Sequence, residues 1–110
     1  MEEKNNQSDA NQDQNSLRPL LKINLMRRSN YAFSLMLRKD DILVALDSVP
    51  YRNDVKELNK KLKVEEKTLI TIYRKESFFH INSSKPLGCE FIEISPEETN
   101  DVLEKFKEVK

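Results

Sequence analysis

The stretch Leu37-Arg38-Lys39-Asp40-Asp41-Ile42-Leu43-Val44-Ala45-Leu46-Asp47-Ser48-Val49-Pro50 decides how this 110-residue chain folds. It is a polar turn, an unbroken apolar run over Ile42–Leu46, and a second polar turn. An apolar run this short, bounded by turn residues and without alternation, reads as a strand covered on both faces. Residues 53–63 then place Val55, Leu58 and Leu62 at helical spacing, with Asn53 expected as the cap. The stripe is narrow, so this helix needs a sheet to lie on. Its other face (Lys56, Glu57, Lys60, Lys61, Lys63) reads as solvated. Turn, buried strand, turn and covering helix form the nucleus of a small α+β domain.

Working outward toward the N-terminus, residues 20–26 alternate, with Leu21, Ile23 and Leu25 on one face and Lys22 and Asn24 on the other. That pattern predicts a half-exposed strand, ended by Arg27-Arg28. Ser29 or Asn30 can cap a short helix over 31–36, whose Phe33, Met36 and Leu37 would face the sheet. Toward the C-terminus, residues 68–74 are rich in β-branched side chains. Lys75-Glu76 turns them into 77–82, so the pair reads as a hairpin, with Phe78 and His80 on one face and Phe79 and Ile81 on the other.

Gly88 is the only glycine, and it precedes an alternating segment over 89–94. A solitary glycine in that position suggests φ > 0 or a close backbone approach. Cys89 and Phe91 fall on one face of the segment; Glu90, Ile92 and Ile94 fall on the other. Ser95 and Glu98 form a capping box with Pro96 at the first helical position, so a last helix is expected to about Glu108. Its buried stripe would be Val102, Leu103, Phe106 and Val109.

Lysine plus arginine and aspartate plus glutamate each number 19, so the formal net charge is zero. A nucleic-acid binder would carry a basic excess on one face, and no nucleic-acid partner is expected. One cysteine forbids an internal disulfide. With no apolar leader and no run long enough to span a bilayer, a complete chain of this kind is expected in the cytoplasm, without membrane insertion. Residues 1–16 are almost wholly polar and are expected to be a disordered leader, leaving 17–110 as one domain.

The segment 37–50 resembles the "Leu-x-x-Gly-Asp-x-Ile-Leu-x-hydrophobic-Asp/Asn-Gly" signature of PDZ domains, closest to the bacterial, protease-associated type. The helix over 53–63 and the strand over 68–74 fall where that family has its second helix and last strand, so the resemblance covers roughly residues 29–74. Asp40 and Ser48 stand where the family has glycine. The resemblance implies a mainly antiparallel sheet or partial barrel with two helices, here with a third at the C-terminus. It also implies a non-catalytic module that binds an extended protein or peptide segment by strand addition.

The family's carboxylate-binding loop is missing before the first strand, and Leu87-Gly88-Cys89-Glu90-Phe91 is similar to it. A rearranged domain would then hold a peptide carboxylate on the backbone N–H groups of Leu87, Gly88 and Cys89, with charge from Lys85. Phe91 and Leu58 would bound a side-chain pocket on the helix stripe of Val55, Leu58 and Leu62. In the alternative, Gly88 is only a turn, the last helix covers the sheet edge, and the domain is a scaffold without a groove.

Residues 87–98 are also similar to the closing strand and helix of PilZ domains, which bind a cyclic dinucleotide. That family reads its ligand with a spaced arginine pair and an Asp/Asn-x-Ser-x-x-Gly turn. Arg27-Arg28 are adjacent, and Asn82-x-Ser84 meets Gly88 one residue late, so those ligand residues do not carry over. No cofactor or metal is expected, because His80 is the only histidine and lacks companions at ligand spacing. Catalysis is not expected either. Cys89 with His80 is the only nucleophile–base pair, and a strand cysteine is usually an inert small hydrophobe.

Overall fold

All five residues of Ile42–Leu46 are buried, and the architecture follows from what covers them. The computed structural model describes residues 18–64 and 67–109; the polar stretch 1–16 lies outside the described residues. The strands are β1 (Leu21–Leu25), β2 (Ile42–Leu46), β3 (Val49–Pro50), β4 (Thr68–Arg74), β5 (Ser77–Ser83) and β6 (Glu90–Glu93). The helices are α1 (Tyr31–Ser34), α2 (Val55–Val64) and α3 (Pro96–Val109). The strands form one open antiparallel sheet in the order β5-β4-β2-β1-β6, with β3 paired to β2. This is an α+β domain.

Two apolar clusters explain why β2 cannot alternate. Leu43 and Leu46 point into one, with Leu21, Ile23, Ile70 and Ile72 of the sheet and Leu58 and Leu62 of α2. Ile42, Val44 and Ala45 belong to the other, with Leu20, Tyr73 and Ile94 and with Val102 and Phe106 of α3. Helices therefore cover both faces of the central strand, and a polar residue on either face would be desolvated. Among the described residues no helix is long and apolar enough to cross a membrane.

The tight turns use left-handed backbone without glycine. Leu46 pairs with Val49 around Asp47 (φ 51) and Ser48 (φ 71), and Arg74 pairs with Ser77 around Lys75 (φ 46) and Glu76 (φ 67). Two consecutive positive φ values in a two-residue loop are the type I′ geometry that suits the twist of a hairpin. A Cβ makes that geometry unfavourable by about 1–2 kcal/mol per residue. Glycine recovers most of this but loses more entropy on folding. Ser48→Gly is therefore expected to raise stability by about 1 kcal/mol, read as a higher urea midpoint at unchanged m-value. A lower midpoint would contradict the turn assignment.

Several local expectations need correction. The cap of α2 is Asp54: its Oδ1 accepts the N–H of Glu57 at 2.9 Å, while Asn53 Oδ1 accepts only the N–H of Asp54. Helix α1 stops at Ser34, because Met36 adopts φ 69 and turns the chain away. Phe33 and Met36 are consequently exposed, and Ala32 and Leu37 make the buried contacts. Asn30 occupies the cap position of α1 but accepts the N–H of Arg27 through Oδ1 at 2.8 Å.

A register shift between Ile23 and Leu25 leaves Leu25 exposed. On α3 the Ser95 cap is present, its Oγ accepting the Glu98 N–H at 3.0 Å. Thr99 joins the buried stripe, Leu103 is half-buried, and Val109 faces water. Thr99 Oγ1 accepts the N–H of Leu20 at 3.1 Å, tying the start of β1 to the last helix.

Candidate functional site

The loop between β5 and β6 is held by its side chains and carbonyls. Ser83 Oγ donates to the Lys85 carbonyl at 2.6 Å. The Leu87 carbonyl accepts the N–H of Ala32 at 2.9 Å, and the Leu87 side chain is buried in the α2-side cluster. Lys85 Nζ lies 4.7 Å from the centre of the Tyr31 ring, and the Tyr31 hydroxyl is 3.4 Å from Ser84 Oγ. The Ser84 hydroxyl, chiefly, holds the Tyr31 phenol below its ordinary pKa.

Gly88 has φ 81, after which the chain enters β6. A Cβ there would meet nothing closer than Asn30 Nδ2 at 3.6 Å, an ordinary contact, so backbone conformation and not space calls for glycine. Among the described residues, no acceptor takes the N–H of Leu87 or Gly88, while the N–H of Cys89 lies against its own thiol. Two consecutive amides without a described acceptor ahead of a strand are unusual, since backbone donors are nearly always paired. They are suited to an anionic oxygen.

Strand β6 ends the strand order. Its register with β1 is Leu21 with Glu93, Lys22 with Ile92 and Ile23 with Phe91, and no described strand takes its other edge. Helix α3 packs on the cluster of Leu20, Val44 and Tyr73, the face opposite α2. On the α2 face, Phe91 of β6 and Val55 of α2 are both half-buried at the margin of one cluster.

The residues singled out from the sequence divide into three groups. Gly88 and Lys85 are exposed on the loop, and Val55 and Phe91 stand at the cluster margin. Leu58, Leu62 and Leu87 are sealed at 0, 0 and 1 % exposure, so they belong to the core and offer no free surface. Cys89 lies between, buried at 9 % exposure in the same cluster. Tyr31 and Ser84 meet across the loop, a contact that no local pattern in the sequence predicts. Arg27 and Arg28 are exposed in the turn after β1. His80 is exposed on β5 beside Lys105 and Val109 of α3, away from the cluster that holds Cys89.

Burial pushes the Cys89 thiol up to about 11 from an ordinary value of 9.0. The folded chain thus keeps a proton that the unfolded chain releases near pH 9. Stability is intact below that pH and is lost as pH rises from about 9 to about 11, by at most roughly 3 kcal/mol. Alkylation at pH 8 is expected to run about 100-fold slower on the folded chain than on the unfolded one, from the thiolate fraction alone. Cys89→Ala should flatten the alkaline part of the stability profile; an unchanged profile would contradict the assignment.

No protein-family model and no curated protein matches this chain.

Proposed function

We propose that the domain is a non-catalytic, PDZ-like recognition module that binds the C-terminal end of an extended protein or peptide by strand addition to β6. The observation that carries this reading is the pair of N–H groups at Leu87 and Gly88 with no acceptor among the described residues, just ahead of a strand whose other edge no described strand takes. A terminal carboxylate would accept from those amides. The peptide backbone would then pair along β6, and alternate side chains would face α2. Phe91 and Val55 supply apolar walls, and Leu58 and Leu62 the core beneath them.

Support also comes from Asp40 and Ser48, which stand at the glycine positions of the PDZ signature and adopt φ 75 and φ 71. In this reading the groove strand arrives after the last hairpin and not before the first strand, which is why the loop is missing from its usual place. The domain acts in a reducing cytoplasm, where its single buried thiol is stable.

The test compares a short peptide ending in a free carboxylate with the same peptide ending in a carboxamide. Losing charge-assisted hydrogen bonds should weaken binding by about 30-fold. Equal affinities would remove the carboxylate from recognition, and no binding by any member of a C-terminal peptide library would leave a scaffold.

A further inference from the structure

The sheet has a second open edge, and its chemistry differs from that of β6. Strand β5 ends the strand order opposite β6, pairing with β4 and with no other described strand. Its seven residues, Ser77-Phe78-Phe79-His80-Ile81-Asn82-Ser83, follow β4 in an unbroken register. None is acidic, lysine, arginine, proline or glycine, although 35% of the chain is charged. Strand β6, by contrast, has four residues, includes Glu90 and Glu93, and pairs with β1 across a register shift. Edge strands are ordinarily kept from pairing by charge, proline, short length or a bulge, and β5 has none of these.

The turn fixes which backbone groups of β5 point outward. Across the two-residue loop Lys75-Glu76, Arg74 and Ser77 form a hydrogen-bonded pair, and such pairs alternate along an antiparallel ladder. Ser77, Phe79, Ile81 and Ser83 therefore turn their N–H and C=O groups to β4, while Phe78, His80 and Asn82 turn theirs away from it. The side chains alternate as well. Phe79 and Ile81 pack on the α2-side cluster and Phe78 on the α3-side cluster, and His80 is exposed beside Lys105, Glu108 and Val109.

We infer that β5 pairs with β5 of a second copy of this chain, antiparallel about a two-fold axis at His80, so that two sheets become one. Such an axis sets one residue opposite its own copy and keeps like faces together. With His80 at the axis, Phe78 lies opposite Asn82 of the other copy, and Asn82 opposite Phe78. All three outward N–H groups and all three outward carbonyls of each copy then find partners. An axis at Phe79 or Ile81 would match only two of the three. The His80 register also sets Phe79 opposite Ile81 twice, in non-hydrogen-bonded pairs, where side chains stand closest and an aromatic packs well on a β-branched neighbour. No like charges oppose each other within the seven residues. The contact is about 24 Å long and roughly 15 Å deep, so it covers about 400 Å² per copy. That is under the area of a standard complex, and the dimer is therefore weak, with a Kd of about 100 µM.

Sedimentation equilibrium of the full chain without peptide, from about 5 to about 500 µM, should show monomer and dimer with that Kd. His80→Pro removes an N–H that points to the partner and none that serves β4, so it should abolish the dimer. His80→Lys sets like charges face to face and should weaken it about fivefold. Urea midpoints of both variants show that the fold is kept. Ile92→Lys, on the other edge of the sheet, should leave the Kd unchanged. In amide exchange, Phe78, His80 and Asn82 should gain protection at the higher concentration, whereas Phe79 and Ile81 are protected throughout. A chain that stays monomeric over the whole range overturns the inference. So does a dimer that both His80 variants leave intact, or one that Ile92→Lys disrupts.

Discussion

Asp41→Ala is expected to lower the unfolding free energy by about 3 kcal/mol, because it strands a partly buried guanidinium. The Asp41 side chain is 2 % exposed and that of Arg74 25 %. Arg74 Nε donates to Asp41 Oδ1 at 2.7 Å and Nη2 to Oδ2 at 2.6 Å, a bidentate fork. Asp41 Oδ2 also accepts the N–H of Arg38 at 2.9 Å, and Arg74 Nη2 donates to the Met36 carbonyl at 3.1 Å. One carboxylate thus joins the turn before β2 to the end of β4, while the Arg74 guanidinium stacks 4.7 Å from the Phe79 ring.

Urea titration checks the value. The double variant Asp41→Ala/Arg74→Met should lose less than the sum of the single losses, since no charge is left unpaired. A loss under about 1 kcal/mol for Asp41→Ala would mean that solvent replaces the pair cheaply.

Leu58→Ala is expected to be about as damaging, at roughly 3 kcal/mol, because Leu58 is fully enclosed and α2 has little else to hold it. Of its ten residues only Leu58 and Leu62 are buried, so truncating one removes about half of the helix's anchorage. Leu103→Ala, on a half-buried position facing the other cluster, should lose only about 1 kcal/mol. On the proposed binding mode, Leu58→Ala should also weaken peptide binding by more than Leu103→Ala does, because the core beneath Val55 and Phe91 is lost. Equal stability losses for the two variants would contradict the packing described for α2.

What the sequence makes legible here is what local chemistry dictates. The unbroken run Ile42–Leu46 signals a strand covered on both faces, and helices lie on both. Ser95 with Glu98 marks the start of α3, and the stripe Leu58–Leu62 marks the face of α2. The apolar content of residues 31–37 is misleading, because a positive φ at Met36 ends the helix and no sequence rule places a methionine there.

The remainder is long-range. Asp41 meets Arg74 across 33 residues and Leu20 meets Thr99 across 79, and partners that distant leave no periodic trace. The same limit applies to the site. Gly88 stands out because it is the only glycine, yet the edge position of β6 follows from its pairing with β1 at the other end of the chain.

The proposed recognition depends on an edge of β6 that no described strand takes, next to the amides of Leu87 and Gly88, which have no described acceptor. Amide hydrogen exchange of the full chain, with and without a saturating peptide that ends in a free carboxylate, probes that edge directly. New protection is expected at Leu87, Gly88 and alternate amides of Glu90–Glu93, with none across α3. Protection confined to α3 or to the β4–β5 hairpin, with β6 unchanged, would show that the peptide docks elsewhere.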